Sequence, residues 1–239
     1  MSNGSRVGEY TASTLGAGFD IGRTLGRQSE LRFGYEIGHI STSLGTGSPQ
    51  INVPGGSFSA ASIRWAYDGQ NSATVPTNGT RAETSARWYT QSPGGGQFPM
   101  VEQKLSTFKP ISKRGSVFAM ASGGTTFGHA APIVQQFSLG GPLHLGAYGQ
   151  NDLNGSSYAL AGAGYIHKMA QLPALVGDKL YTGTWFEVGG ASDTFSSIHY
   201  RNSISAALIA ETRIGPIAIG GSLGDAMKSR LFFSLGRFF

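Results

Sequence analysis

Apolar and polar residues alternate along most of the chain. One run shows the pattern clearly, because apolar side chains occupy every second position at Leu31, Phe33, Tyr35 and Ile37. A period of two predicts β-strands, since successive side chains of a strand point to opposite faces of a sheet. The runs last about 9–12 residues, which is typical of a tilted membrane-spanning strand and exceeds the usual length of a soluble one.

Counting these runs predicts about eleven strands. Their predicted bounds are 8–24, 28–41, 57–70, 79–91, 97–110, 113–127, 157–169, 180–191, 203–213, 215–224 and 228–239. Segments rich in Gly, Ser and Pro predict loops at 42–56, 71–79 and 91–97, whereas short turns join other strand pairs. Bacterial single-chain barrels close with an even number of strands, so an odd count indicates that N-terminal strands are missing or that the count is wrong by one.

Two all-β architectures fit this alternation: a soluble sandwich and a transmembrane barrel. The polar faces carry charges of both signs among glycine and serine, as a crowded barrel lumen would. Aromatic residues lie near the ends of the apolar runs, as in the interface girdles of a barrel, at Trp65, Tyr67, Trp88 and Tyr165. We therefore predict that residues 1–239 form a single antiparallel transmembrane β-barrel domain with its apolar side chains toward lipid.

The composition agrees with this class of protein and excludes several others. The 239 residues include 37 glycines and no cysteine, and only 13% of them are charged. The absence of cysteine excludes a disulfide scaffold and a thiolate metal site. No apolar stretch approaches the roughly 20 residues of a membrane helix. The net charge of +5 is scattered along the chain, without a basic face that alternates with aromatics, so we expect no nucleic-acid partner.

The longest connection in the predicted sheet covers residues 128–156 and is rich in apolar side chains. Loops longer than about 15 residues are usually functional or disordered. Its apolar residues need a place where they are buried, and the barrel lumen is the natural candidate. We predict that this segment folds inward and plugs or braces the lumen, and a soluble lid is the alternative.

Three groups of residues resemble motifs of the bacterial surface antigen family, which comprises barrels of outer-membrane assembly factors, two-partner secretion transporters and patatin-like type V autotransporters. The lumenal loop motif is formed by Phe137, Gly140, Gly141, Leu145 and Tyr148. The strand motif that faces the loop is formed by Phe186, Glu187 and Gly189. The membrane-insertion signal is formed by Phe233, Leu235, Gly236 and Phe239. The loop is most similar to that of the patatin-like branch.

This resemblance implies that the chain corresponds to the last eleven strands of a sixteen-stranded barrel. It also implies a location in the bacterial outer membrane, contact with the lipid of that membrane and insertion by the outer-membrane assembly machinery. The barrel would anchor an upstream passenger domain and help to export it. The start of the chain, Met1 to Arg6, has no apolar core of a secretory signal, so we expect a missing N-terminal part to supply one.

The sequence departs from the family pattern at one position in the loop. Most members have an Arg-Gly pair where this chain has Gly146 and Ala147, and that arginine reaches toward the acid of the strand motif. The acid here is Glu187, so a salt bridge that locks the loop is in doubt. Because a bare buried carboxylate is costly, Glu187 must either pair with another group, such as a lumenal arginine, or stay hydrated.

Two other functions stay open. A passive membrane anchor or small pore without secretion activity would show the same strand pattern. A soluble lipid hydrolase would use Ser222, because Gly220 to Gly224 matches the G-x-S-x-G pattern of a nucleophile. That motif requires a strand-to-helix turn, whereas a short turn and an aromatic strand follow here, so we predict no enzyme and assign no catalytic residue.

Other polar groups are assigned structural roles. The five histidines show no metal-ligand spacing, and no phosphate-binding glycine loop precedes a helix, so we predict no metal and no cofactor. The lumenal charges are expected to pair across strands rather than to line a conduction path. Lys109, Lys113 and Arg114 lie at a predicted hairpin, where a solvated turn is favoured over contact with acidic lipid head groups.

Overall fold

The computed structural model describes residues 8–47, 53–94, 96–173, 175, 177–236 and 238–239. The prediction about residues 1–6 and part of the predicted loop 42–56 fall on residues that lie outside the described ones. No helix among the described residues is long and apolar enough to cross a membrane.

The described residues form thirteen β-strands and three short 3-10 turns. The strands are β1 Gly8–Leu25, β2 Ser29–Gly47, β3 Gly56–Asp68, β4 Gly79–Gln91, β5 Phe98–Pro110, β6 Gly115–Thr125, β7 Phe137–Leu139, β8 Leu153–Gly155, β9 Ser157–Gln171, β10 Gly177–Ser192, β11 Arg201–Thr212, β12 Gly215–Gly224 and β13 Ser229–Leu235. The 3-10 turns are Ile133–Gln135, Phe195–Ser197 and Asp225–Met227. Eleven of the strands are the predicted ones, and β7 and β8 lie inside the predicted long loop.

One antiparallel sheet holds eleven strands in the order β1-β2-β3-β4-β5-β6-β9-β10-β11-β12-β13. Strands β7 and β8 pair separately as a two-stranded ribbon. Within the described residues, β1 and β13 form the two edges and do not pair with each other. The main sheet of the described residues thus has the predicted eleven strands, and the all-β antiparallel fold class predicted from the alternation is confirmed.

Contacts between distant strands show that the sheet curls. Phe239, which follows β13, packs its ring 5.5 Å from the ring of Phe108 on β5 and 5.6 Å from that of Phe118 on β6. A flat sheet in this strand order would hold these residues several strands apart, at nearly 5 Å per strand. The sheet therefore has an inward face and an outward face.

The outward face is apolar across all eleven strands. Apolar residues of neighbouring strands lie opposite each other on this face, for example Phe33 opposite Ile63 and Leu208 opposite Ile219. Phe33, Trp65 and Leu208 have exposed fractions of 54%, 37% and 52%, so they do not meet in a buried core. The four aromatic side chains predicted near strand ends are not buried in the core either, since Trp65, Trp88 and Tyr165 are exposed and Tyr67 is half-buried.

The inward face of β1–β5 carries the predicted charges of both signs. They form a network of ion pairs, of which Arg32 Nε to Asp20 Oδ1 at 2.9 Å joins neighbouring strands and Arg87 Nε to Glu36 Oε1 at 3.6 Å joins β4 to β2. Arg64–Glu30 and Arg81–Asp68 also join neighbouring strands, whereas Arg32–Glu30, Arg81–Glu83 and Lys104–Glu102 lie within one strand. This part of the inward face is ionic, as the alternation predicts, except near the long loop, where Phe58, Tyr89 and Phe98 form a buried apolar cluster with Ala131.

The inward face of β6–β13 differs from that prediction, because it is apolar or lined by small residues. Phe118, Ile166 and Trp185 are buried there in one cluster with Phe108 of β5 and with Leu143 of the long loop. The reason is that the loop and the C-terminal tail cover this half of the sheet, so its side chains pack instead of facing water. Alternation shows two faces but cannot show which part of a face another segment covers.

Strand β13 ends at Leu235, earlier than the predicted bound of 239. Gly236 adopts a φ of 105°, which glycine tolerates without steric cost, and its N–H donates to the carbonyl of Pro216 at 2.9 Å. The chain then turns inward, and Phe238 packs 5.7 Å from the indole of Trp185.

Candidate loop-docking site

The predicted loop 128–156, here called the inner loop, lies against the inward face. It first packs Ala131 and Val134 on the cluster of Phe58. It then forms the ribbon of β7 and β8, in which Phe137 pairs with Gly155 and Leu139 with Leu153. The Phe137 ring lies 5.0 Å from the ring of Tyr158 on β9. The inner loop is thus anchored on the sheet before it reaches its tip, and the predicted inward folding is what the structure has.

Two glycines shape the tip of the inner loop. Gly140 and Gly141 have φ values of 134° and 98°, which L-residues rarely adopt. The N–H of Gly140 donates to the carbonyl of His144 at 2.7 Å, and that of Gly141 donates to the carbonyl of Tyr148 at 3.0 Å. A Cβ on Gly140 would overlap the backbone of Gly149, so this tight crossing requires glycine.

Glu187 of β10 is the centre of the site. Its side chain is fully buried, with an exposed fraction of 0%. Its Oε1 accepts the backbone N–H of Leu145 at 3.0 Å, and its Oε2 accepts the backbone N–H of Gly146 at 3.1 Å. The indole N–H of Trp185 donates to Oε2 at 3.2 Å. The carboxylate therefore binds the tip of the inner loop through main-chain groups.

Of the two expectations for Glu187, another partner or hydration, the structure has the first. The partners are three N–H groups, two from the loop backbone and one from an indole, in place of a lumenal arginine. Two successive N–H groups beside a residue in the left-handed region form a concavity that binds anions. Leu145, with a φ of 71°, is that residue here. The loop is therefore fixed without the arginine that most of the resembled family has.

Small side chains on β11 and β12 let the loop backbone approach the sheet. Ser203 Oγ accepts the N–H of Ala147 at 3.1 Å. Ser205 and Ser222 hydrogen-bond to each other at 2.7 Å directly beneath Gly146. A Cβ on Gly146 would overlap Ser222 Oγ and lie 2.8 Å from Ser205 Oγ. Close packing of the loop on the sheet thus explains why this position lacks a side chain.

Tyr148 fixes the far side of the tip and is almost fully buried. Its hydroxyl donates to Asp225 Oδ2 at 3.3 Å, and the same carboxylate oxygen accepts the N–H of Asn202 at 3.0 Å. Lys228 Nζ lies 4.8 Å from the ring centroid of Tyr148. Burial raises the pKa of Tyr148, so the phenol stays protonated and keeps its donor at neutral pH.

The other predicted motif residues lie at several places in the fold. Phe186 points outward and is half-exposed, whereas Gly189 lies where a Cβ would be 2.7 Å from the carbonyl of Ala159. Phe233 and Leu235 of the predicted insertion signal point outward, and Phe239 points inward. Of the loop motif, the structure therefore brings Leu145 to Glu187, Tyr148 to Asp225 and Phe137 to Tyr158. It does not gather the insertion signal on one face.

A second segment folds inward that the alternation predicted only as a loop. Residues 69–78, here called the turn-end strap, connect β3 to β4. Val75 is buried with an exposed fraction of 1% in the same cluster as Tyr181 and Ile209. Thr74 Oγ1 donates to Glu211 Oε1 on β11 at 2.5 Å. The strap therefore reaches across the inward face, at the end of the sheet opposite to the inner loop's entry.

Hydrogen bonds within the turn-end strap hold its shape. Asn71 Oδ1 accepts the N–H of Thr77 at 3.0 Å and that of Asn78 at 3.1 Å. Asn71 Nδ2 donates to Thr77 Oγ1 at 2.9 Å. The asparagine side chain replaces backbone pairing in the turn, which is a usual role of this residue in loops. This preformed shape presents Thr74 and Val75 toward β10 and β11.

Ser222 does not have the surroundings of a nucleophile elbow. It lies within β12, paired in register with Ser205, and it is buried beneath the inner loop. A nucleophile of this motif lies instead on a sharp strand-to-helix turn with its hydroxyl exposed. Across the part of the chain that the structure describes, no group of three or more His, Cys, Asp or Glu residues could hold a metal ion.

Comparison with known proteins agrees with this architecture. The family model of the Omp85 superfamily domain matches residues 2–219. The chain therefore belongs to the Omp85 superfamily.

Among solved structures, the chain is similar to BamA from Haemophilus ducreyi, crystallised without POTRA domains 1–3, with a TM-score of 0.70 and 15% sequence identity. The match covers 94% of this chain and 53% of the BamA chain, so the chain spans about half the length of that structure. No curated protein sequence matches the chain.

Proposed function

We propose that this chain is the barrel portion of an outer-membrane protein that anchors an upstream passenger domain and helps to export it. The proposal is supported most by one observation: an outward face that is apolar across eleven strands surrounds an inward face on which Glu187 fixes the inner loop. Hydrocarbon is the solvent that such an outward face fits, because paired strands satisfy their backbone groups without water. The bacterial outer membrane is the location that this family and fold favour.

The inward face suggests how a passenger could move. The β1–β5 half carries half-exposed charged pairs beside a buried apolar cluster that the start of the inner loop covers. The other half is covered by the inner loop, the turn-end strap and the C-terminal tail. A polar passenger segment would therefore pass along the half-exposed charged pairs. The patatin-like branch of the family is our proposal for the identity of the passenger, on the similarity of the loop motif. The outer-membrane assembly machinery is our proposed partner during insertion.

The proposal is tested by replacing residues 128–156 with a short Gly-Ser turn in the full chain and reconstituting it in lipid vesicles. We expect the variant to insert but to lose heat resistance and to gain conductance in planar bilayers, because its lumen is no longer braced. Shortening the connection within residues 193–197, which are exposed and lie at the same end of the sheet, serves as the control and should change neither property. Unchanged heat resistance and conductance would contradict a role for the inner loop.

A passive anchor or small pore is the competing function, and a passenger assay separates the two. A small protease-sensitive passenger is fused upstream of the chain, and vesicles are treated with protease from outside. If the chain translocates the passenger, the protease added outside the vesicles should cleave it. If the chain is a passive anchor, the passenger stays inside the vesicles and is protected from the protease. Our prediction that the chain is not an enzyme is tested by an esterase assay, in which Ser222→Ala should change nothing.

A further inference from the structure

A group of basic side chains lies where β5 and β6 meet, and the proposed function does not use it. Lys109 is near the end of β5, and Lys113 and Arg114 lie in the four-residue turn that leads into β6. All three side chains are exposed. The backbone N–H of Lys168 on β9 donates to the carbonyl of Arg114 at 2.7 Å, which holds the turn against the sheet. We call Lys109, Lys113 and Arg114 the basic hairpin cluster.

The cluster differs from the paired arginines of the inward face in having no acidic partner. Arg32, Arg64 and Arg87 each have a carboxylate within 4.0 Å. Among the described residues, none of the three cluster side chains forms an ion pair or a hydrogen bond. Three neighbouring cations without counterions attract an anionic partner, and the attraction grows where water is partly excluded.

The surroundings of the cluster are apolar. Lys109 pairs in register with Val117, and Val117 pairs with Tyr165, so these three residues form one row across the outward face. Val117 and Tyr165 are partly exposed, and Ile111 at the tip of the turn is 60% exposed. The positive charge therefore lies at the border of the outward apolar face. Tyr165 is the kind of aromatic residue that is enriched at the border between lipid and water.

We propose that the basic hairpin cluster binds the phosphate of an anionic phospholipid in the leaflet at the turn end of the barrel. A ligand with an anionic head and apolar tails matches both features of the surface, since its phosphate meets Lys109, Lys113 and Arg114 while its acyl chains lie along Val117 and the apolar face. An acidic protein or a nucleic acid would match only the charge. The inference rests on the proposed function in one respect, namely that the outward face contacts lipid.

Native mass spectrometry of the full chain in detergent micelles tests the proposal. Phosphatidylglycerol and phosphatidylcholine with identical acyl chains are titrated in parallel. We expect the unmodified protein to retain phosphatidylglycerol selectively. The triple variant Lys109→Gln, Lys113→Gln and Arg114→Gln should raise the apparent Kd of phosphatidylglycerol by at least about tenfold, since each surface cation contributes roughly fivefold.

Two matched variants serve as controls. Lys109→Arg, Lys113→Arg and Arg114→Lys keep every charge and should retain the lipid. Arg81→Gln with Lys179→Gln removes two cations at the same end of the sheet that already pair with carboxylates, and should leave retention unchanged. Equal losses in this control and in the triple variant, or no loss in the triple variant, would overturn the proposal. Displacement of the lipid by inorganic phosphate would overturn it too, because the cluster would then be an anion site only.

Two further measurements keep the result interpretable. Added salt should weaken the retention of phosphatidylglycerol by the unmodified protein, because salt screens exposed charges. This measurement does not depend on whether a variant folds. Insertion into vesicles is measured separately by protection from protease. A protein that selects phosphatidylglycerol in micelles but fails to insert into vesicles would refute the proposed function and support the lipid site. A protein that inserts into vesicles but does not select phosphatidylglycerol would support the proposed function and refute the lipid site.

Discussion

At the scale of single residues, Glu187 and Gly146 determine how the inner loop meets the sheet. The carboxylate of Glu187 accepts three N–H donors in a fully buried place, and Gly146 allows the loop backbone to lie on Ser205 and Ser222. These three donors offset part of the cost of burying the carboxyl group. The absence of a side chain at Gly146 lets the loop backbone come close to the sheet, and at that distance its N–H groups can bind Glu187.

Glu187→Gln should loosen the inner loop. The amide group has one acceptor instead of two, and its NH₂ group faces an N–H of the loop, so one buried donor loses its partner. The expected cost is about 1–3 kcal/mol of unfolding free energy. It is measured as a lower urea midpoint in vesicles and faster protease cleavage within residues 140–152. The control Glu83→Gln breaks a partly exposed ion pair and should cost less than about 1 kcal/mol.

Gly146→Ala should displace the tip of the loop, because the added methyl group overlaps Ser222 Oγ. Overpacking of this kind costs about 1–3 kcal/mol. Gly96→Ala is the control, since the Cβ would lie an unstrained 3.8 Å from Ser92 Oγ. The two variants are compared by the temperature at which the folded band is lost in unheated gel electrophoresis. Equal temperatures would show that the loop does not lie against β12.

At the scale of elements, the inner loop and the turn-end strap approach the inward face from opposite ends. The strap is joined to β11 through Thr74 and Glu211, whose positions are 137 residues apart in the sequence. Val75 adds an apolar contact in the cluster that also holds Leu143 of the inner loop. The two segments therefore share one buried cluster, and a change in one is expected to affect the packing of the other.

Val75→Ala should free the turn-end strap. The removed methyl groups are buried, and their loss costs about 1–2 kcal/mol. We expect faster protease cleavage within residues 69–78 and larger single-channel conductance in planar bilayers. Val117→Ala makes the same chemical change on the outward face, where the side chain is partly exposed, and should leave both measurements unchanged. A strap that stays protected in Val75→Ala would argue against its role in closing the turn end.

At the scale of the whole molecule, the sheet separates an apolar outward face from an inward face that is ionic on one half and filled on the other. Leu208→Arg tests which solvent the outward face meets. In a bilayer the charge should cost about 2–4 kcal/mol near the midplane, measured as the free energy of folding into vesicles. Leu208→Ala should cost much less. If both variants fold equally well, the face meets water and the membrane location is wrong.

The edges of the sheet give a prediction of their own. Residues 11–25 of β1 are exposed, both those that point outward and those that point inward. Within the described residues β1 is an edge strand, so the backbone groups along its outer side have no partner strand. Long free edges of this kind pair with other chains. We expect the isolated chain to associate in detergent, as measured by light scattering. A sharp monomer band that shifts on heating would contradict this expectation.

The sequence by itself determined the strands, their number and which residues face outward, because a period of two is a local property of the backbone. It also placed the inner loop correctly, since apolar residues in a long connection need burial. Only the tertiary structure decided the partners of Glu187, the path of the turn-end strap and the inward turn of Phe238 and Phe239. Glu187 meets Leu145 across 42 residues of sequence, and Thr74 meets Glu211 across 137. Such contacts depend on how the sheet curls, and no local pattern of residues encodes the curl.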